Sequence, residues 1–175
     1  GWLSHMLDRS CRFWTRGEIH HVQIQLDHVE YKPLLNTTPH LNFTQEEEQH
    51  GQDLLDKLGI PPGSSWICIH NRDSAYLDQI LSSPIQWTYH NYRDFSIQSF
   101  VSAAEELTKR GYFVIRMGAI QREALSSSNR MIIDYASCPH RSDFGDIYLS
   151  SGCSAYIGSD SGIVNLSVAF RKPVC

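Results

Sequence analysis

The chain has 175 residues, 41% of them hydrophobic, which is enough for one full core and lies outside the range of disordered sequences. A formal net charge of -4 leaves no basic surplus, excluding a protein that lives on nucleic-acid phosphates, so any anion it binds must be gripped locally. No apolar run approaches the roughly 20 residues that span a bilayer, and the start lacks a charged segment followed by an apolar core.

The expected protein is therefore soluble and cytoplasmic, with peripheral attachment at the inner membrane as the alternative. Five cysteines, at positions 11, 68, 138, 153 and 175, form no C-x-x-C pair and no metal-like spacing, which suits a reducing compartment.

In chain order, residues 1–17 mix Trp2, Leu3, Leu7, Phe13 and Trp14 with basic residues, the pattern of a short amphipathic helix. Val22, Ile24 and Leu26 then alternate with polar residues at the period of a half-buried strand, and Pro33 and Pro39 break the chain. Thr44 and Glu47 form a capping box, and Leu54, Leu55 and Leu58 supply an apolar stripe. The spacing predicts a helix over 45–58 that ends at Gly59. These features assign residues 1–60 to an N-terminal extension and 61–175 to the main domain.

From Pro61 onward, strand and helix patterns alternate. Strands are predicted over 66–70, 112–117, 131–134 and 155–158. Between the first two lies a long loop, then a helix carrying Ile97, Phe100, Val101, Ala104 and Leu107 that stops at Gly111. Further helices follow around Phe144, Ile147 and Tyr148 up to Gly152, and over 163–170. Strands joined by helical crossovers imply an α/β, Rossmann-like parallel sheet covered on both faces. Lys172, Pro173 and Val174 read as the entry to one more strand, so the domain is expected to be incomplete at its C-terminus.

In open parallel sheets, ligands bind beyond the carboxyl ends of the strands. All four predicted strand ends carry functional side chains there. After the first come His70, Arg72, Asp73 and Tyr76; after the second, Arg116 and Gly118; after the third, Asp134; after the fourth, Ser159, Asp160, Ser161 and Gly162.

The last group is the strongest, because small residues before a helix admit a ligand to the backbone and its unpaired amides suit phosphate. Asp160 would repel phosphate, so it is expected to accept from a sugar hydroxyl or to cap the helix. The plainer reading of the group is a capped helix without ligand. Arg72 can clamp a diphosphate two-pronged, with Asp73 orienting the guanidinium, the alternative being an ordinary ion pair. His70 reads equally as a core histidine bonded to a carbonyl.

The loop with Tyr89, His90, Tyr92 and Arg93 is long and aromatic enough to cover a substrate, or else to be packed. His70, Asp73 and His90 are the candidate catalytic residues. His20, His21 and His28 lack carboxylate or cysteine partners at ligand spacing, so no metal is assigned. G-x-S-x-G, Walker A and G-x-G-x-x-G strings are absent, which removes hydrolase and common nucleotide-loop readings.

Taken together, the segment Phe43 to Glu48, "CIHNRDSAYLD" from Cys68, "YHNYRDFSI" from Tyr89, "RGYFVIRMGA" from Arg110, "IIDYA" from Ile132, "SDFGDIYL" from Ser142 and "YIGSDSGI" from Tyr156 resemble an uncharacterised bacterial glycosyltransferase family with the GT-B architecture. That family is similar to fucosyltransferases in its H-x-R strand end and to heptosyltransferases in its D-S-G element. Here Asp73 follows Arg72 directly, where the fucosyltransferase pattern leaves a gap before its acid.

The resemblance implies the C-terminal, donor-binding half of a GT-B enzyme acting in polysaccharide biosynthesis. It implies that Arg72, Ser159, Ser161 and Gly162 hold the diphosphate of a GDP- or UDP-sugar, with no other cofactor, and that a glycan or lipid-linked molecule is the acceptor. An N-terminal Rossmann domain bearing the acceptor-side base is expected to be missing from this chain. Tyr76, Tyr89, Arg93, Arg116, Gly118, Asp134 and Asp160 complete the expected substrate site. A non-hydrolysing nucleotide-sugar epimerase and a non-catalytic nucleotide-binding module are the competing readings.

Overall fold

The computed structural model describes residues 37–80 and 91–175. The expected N-terminal helix and strand, His20, His21 and His28, and the loop residues Tyr89 and His90 lie outside the described residues. Pro39–Cys175 forms one compact unit.

Helix α1 (Gln45–Lys57) begins at the expected capping box. The Glu47 amide donates to Thr44 Oγ1 at 3.3 Å, and the Thr44 amide donates back to Glu47 Oε2 at 2.8 Å. Gly59, at φ +72, ends it in the left-handed region that a side chain disfavours. Strand β1 (Trp66–His70) follows, and then a six-residue helix α2 (Ala75–Ile80). The sequence reading had only loop there. Asp73 initiates this helix, its Oδ1 accepting from the Ala75 amide at 2.9 Å.

A 3-10 turn (Ile97–Phe100) runs into α3 (Val101–Lys109), so the expected helix is split between two geometries. Strands β2 (Phe113–Arg116) and β3 (Ile132–Asp134), helix α4 (Asp143–Gly152), strand β4 (Ala155–Gly158) and helix α5 (Val164–Ala169) complete the order.

The fold is α/β and Rossmann-like. Its four described strands are all parallel, in the order β3-β2-β1-β4. Alternation along the strands sends side chains to opposite faces. Trp66, Cys68, Ile115, Met117 and Tyr156 face one core with α1 and α4 residues Leu54, Leu55, Tyr148 and Leu149. Ile67, Ile69, Val114 and Ile132 face another with Ile97, Ala104 and Leu125. The stretch predicted as a further strand lies parallel beside β4, where the Tyr156 amide donates to Pro173 O and the Cys175 amide to Tyr156 O. No helix among the described residues is long and apolar enough to cross a membrane.

Candidate functional site

The parallel topology brings the ends of β1, β2 and β4 to one edge, where they surround a cavity of about 650 Å³. Among its lining residues are His70, Arg72, Asp73, Tyr76, Arg93, Arg116, Gly118, Asp160, Ser161 and Gly162. Ser159 and Asp134 are absent from that lining and act behind it.

At the β1 and β4 ends the backbones are nearly in contact. A Cβ on Gly158 would sit 2.2 Å from the His70 carbonyl oxygen, so only glycine fits. Ser159 then stitches the two loops: its Oγ accepts from the Arg72 amide at 2.7 Å, and its own amide donates to His70 O at 3.3 Å. Its hydroxyl thus serves the loop junction.

His70 Nδ1 lies 3.1 Å from Met117 O. A carbonyl only accepts, so Nδ1 carries the proton and Nε2 keeps its lone pair. Burial holds the His70 pKa below its ordinary value, against the opposing pull of that hydrogen bond, and favours the neutral ring. The expected histidine-to-carbonyl bond is therefore present in a residue that also lines the cavity.

Two expected roles for acids are corrected. The Arg72 guanidinium pairs with Asp94, in a contact only 9% exposed on the arginine side, rather than with Asp73. Asp73 is committed to backbone, its oxygens accepting from the amides of Ala75 and Arg122. With both of its oxygens held by these amides, Asp73 is not placed to orient its neighbour.

Asp160 does not cap α5, whose first flanking residue is Ile163, with no side-chain cap. The Asp160 side chain is 90% exposed and reaches Arg93 Nη1 at 4.0 Å. Helix α5 opens with short turns from the Val164 amide to Ser161 O and the Asn165 amide to Gly162 O, which consume amides that a longer helix start would present.

At the β2 and β3 ends, Arg116 is almost wholly buried and joins three segments. Its Nη2 donates to Asn71 Oδ1 at 3.1 Å, and its Nη1 to Glu123 O at 2.7 Å and Asp134 Oδ1 at 3.4 Å. Asp134 also accepts from the Leu125 amide and the Ser137 hydroxyl, each at 2.8 Å, so it organises the site's support instead of touching the cavity. Gly118, at φ +142, turns the chain over the cavity in a conformation that side chains rarely adopt.

Among the lining residues that escaped the sequence reading are Gln121, Arg141, Asp146 and Asn165. Arg141 precedes α4 and bonds both Asp146 and Asp143, the latter at 3.0 Å. Burial raises the Asp146 pKa, while the Arg141 hydrogen bond and charge pull it back. A signal for Asp146 was available, since it shares the buried face of α4 with Leu149 and Ser150 at spacings of three and four. An acid in the core phase of a helix asks for an explanation.

Buried polar side-chain atoms that find no protein partner among the described residues collect here. They include Arg116 Nε, Gln121 Oε1, Arg141 Nε, Asp146 Oδ1 and Ser161 Oγ, all from cavity-lining residues. Leaving such a group unsatisfied costs about 1–3 kcal/mol, so several such atoms in residues around one cavity call for an explanation. No group of three His, Cys, Asp or Glu residues is placed to hold a metal ion among the described residues. Comparisons with protein-family models, curated proteins and solved structures return no match for this chain.

Proposed function

We propose that this cleft binds the nucleotide-diphosphate part of a sugar donor and that the chain is the donor-binding portion of a glycosyltransferase, passing the sugar to a glycan or lipid-linked acceptor. The observation that carries the reading is the convergence of buried, unpartnered donors and acceptors on one cavity at the carboxyl edge of a parallel sheet.

The cavity mixes both signs. Arg93 and Arg141 stand beside Asp160 and Asp146, which suits a ligand carrying an anionic diphosphate together with hydroxyl or amine donors. Ser161 and Gly162 let the diphosphate approach the backbone closely, and Arg72, which lines the cavity while paired with Asp94, brings a planar cation to it. Transfer also needs a group that takes the acceptor hydroxyl's proton. Of the candidate bases among the described residues, His70 has the chemistry, being neutral with a lone pair on Nε2, whereas both Asp73 oxygens are occupied by amides.

The test is a melting-temperature panel with GDP, UDP, their glucose conjugates and the parent nucleosides, since a ligand confined to the folded state raises its stability. A shift with diphosphates that Arg72→Lys reduces far more than any nucleoside shift supports the reading. No shift with any nucleotide overturns it.

A further inference from the structure

Gln121 lines the cavity from the loop after β2, and its amide has a defined orientation. Ser137 Oγ stands 2.8 Å from an Asp134 carboxylate oxygen, which can only accept, so the single hydroxyl proton of Ser137 goes to Asp134. The Ser137 oxygen is then left as an acceptor for the Gln121 amide, Nε2 donating to it at 2.8 Å. Flipping the amide would set two oxygens against each other. Gln121 Oε1 is consequently fixed on the opposite side, buried and without a protein partner among the described residues. Asp134 is itself anchored by Arg116 and by the Leu125 amide, so the whole relay rests on the strand ends.

A fixed acceptor beside a cavity, held by a three-residue relay and met by no partner among the described residues, is selective by construction. A ligand that brings an N–H or O–H to it relieves a buried acceptor, and one that does not leaves the acceptor unmet. We propose that Gln121 is a specificity-determining residue that accepts a hydrogen bond from the ligand, from either a nucleobase N–H or a sugar hydroxyl, with Ser137 as its positioning residue. This rests on the nucleotide-sugar reading of the cleft.

The experiment measures dissociation constants and melting temperatures for wild type, Gln121→Met and Ser137→Ala with GDP, UDP, GDP-glucose and UDP-glucose. Methionine matches the shape and removes the acceptor. The Gln121→Met protein is expected to melt at or above the wild-type temperature without ligand, because an unmet polar atom is gone. It is expected to lose about tenfold in affinity for whichever probe carries the donor. A loss shared by a nucleotide and its glucose conjugate assigns the contact to the base, and a loss confined to the conjugates assigns it to the sugar. Ser137→Ala, at an exposed position, is expected to show the same ligand pattern at smaller size.

Wild-type binding with no selective loss in either variant overturns the role of Gln121 and leaves the nucleotide-sugar reading standing. So does a lowered melting temperature with unchanged affinities, which marks a purely structural glutamine. Failure of every probe to bind wild type overturns both.

Discussion

On one face of the sheet, aromatic rings press into helix glycines, while on the other isoleucine and valine pack mainly with aliphatic side chains, with Phe100 and Tyr112 at the margin. A Cβ on Gly51 would lie 2.1 Å from the Tyr148 ring, one on Gly145 1.9 Å from the Tyr135 hydroxyl, and one on Gly152 2.3 Å from the Trp66 ring. Those rings cannot slide aside. Trp66 Nε1 donates to Leu149 O, Tyr148 OH donates to Glu48 and accepts from Gln52, and Tyr135 OH accepts from the Ser142 amide. The aromatic face is thus vulnerable to added volume and the aliphatic face to lost volume, although both bury their residues equally well.

Substitutions on the two faces break this contrast in graded steps. The largest effect is expected from Ile97→Ala, at a fully buried aliphatic position, which should cost about 2–5 kcal/mol by loss of transfer energy and the hole left behind. Chemical denaturation reads it directly. Gly51→Ala should cost about 1–3 kcal/mol by overpacking, and Tyr148→Leu should rescue part of that loss when combined with it. Without rescue, the ring is not the obstacle. Ile69→Val, which removes one methylene from the aliphatic face, should cost about 0.5–1.5 kcal/mol.

A smaller difference appears with pH. His70 follows Trp66 and Cys68 on the aromatic face, and its folded pKa is held below the ordinary 6.5. The unfolded chain therefore binds the extra proton first. Its contribution is intact above pH 6.5 and is lost as pH falls through that value toward the lower folded one. Denaturation midpoints taken between pH 7.5 and 5 should fall less steeply in His70→Asn than in wild type. Smallest of all, Glu106→Ala removes the exposed pairs to Lys109 and to Arg110 just past α3 and should shift stability by about 0.5 kcal/mol or less.

The elements were legible where short apolar runs stood between strong punctuation. Trp66–His70 after Pro61-Pro62-Gly63, and Ala155–Gly158 before Ser159, are observed with the predicted limits. Gly59 and Gly111 mark the turns at which α1 and α3 stop. Helix α2 was not legible because one turn and a half carries too little periodicity to register, and its start signal is a single aspartate.

Cavity-lining residues directly after strands were legible because the topology of a parallel sheet sends the strand ends to one edge. Their individual bonds were not. That Arg72 pairs with Asp94 rather than Asp73, and that Gln121 meets Ser137, are contacts across 22 and 16 residues. Spacing along the chain does not encode them.

Arg116 gives the cleft two unequal banks. By bonding Asn71, Glu123 and Asp134 it locks together the segments that follow β1 and β2 and the end of β3. Across the cavity, Asp160 is almost fully exposed and touches Arg93 only at the limit of an ion pair. Capture of the ligand proposed above would therefore spend little ordering entropy on the first bank and most of it on the second. On the nucleotide-sugar reading, the locked bank decides which molecule fits. On the same reading the Asp160 side sets how long it stays, so substitution of Asp160 should retune residence time while leaving the choice of ligand to the other side.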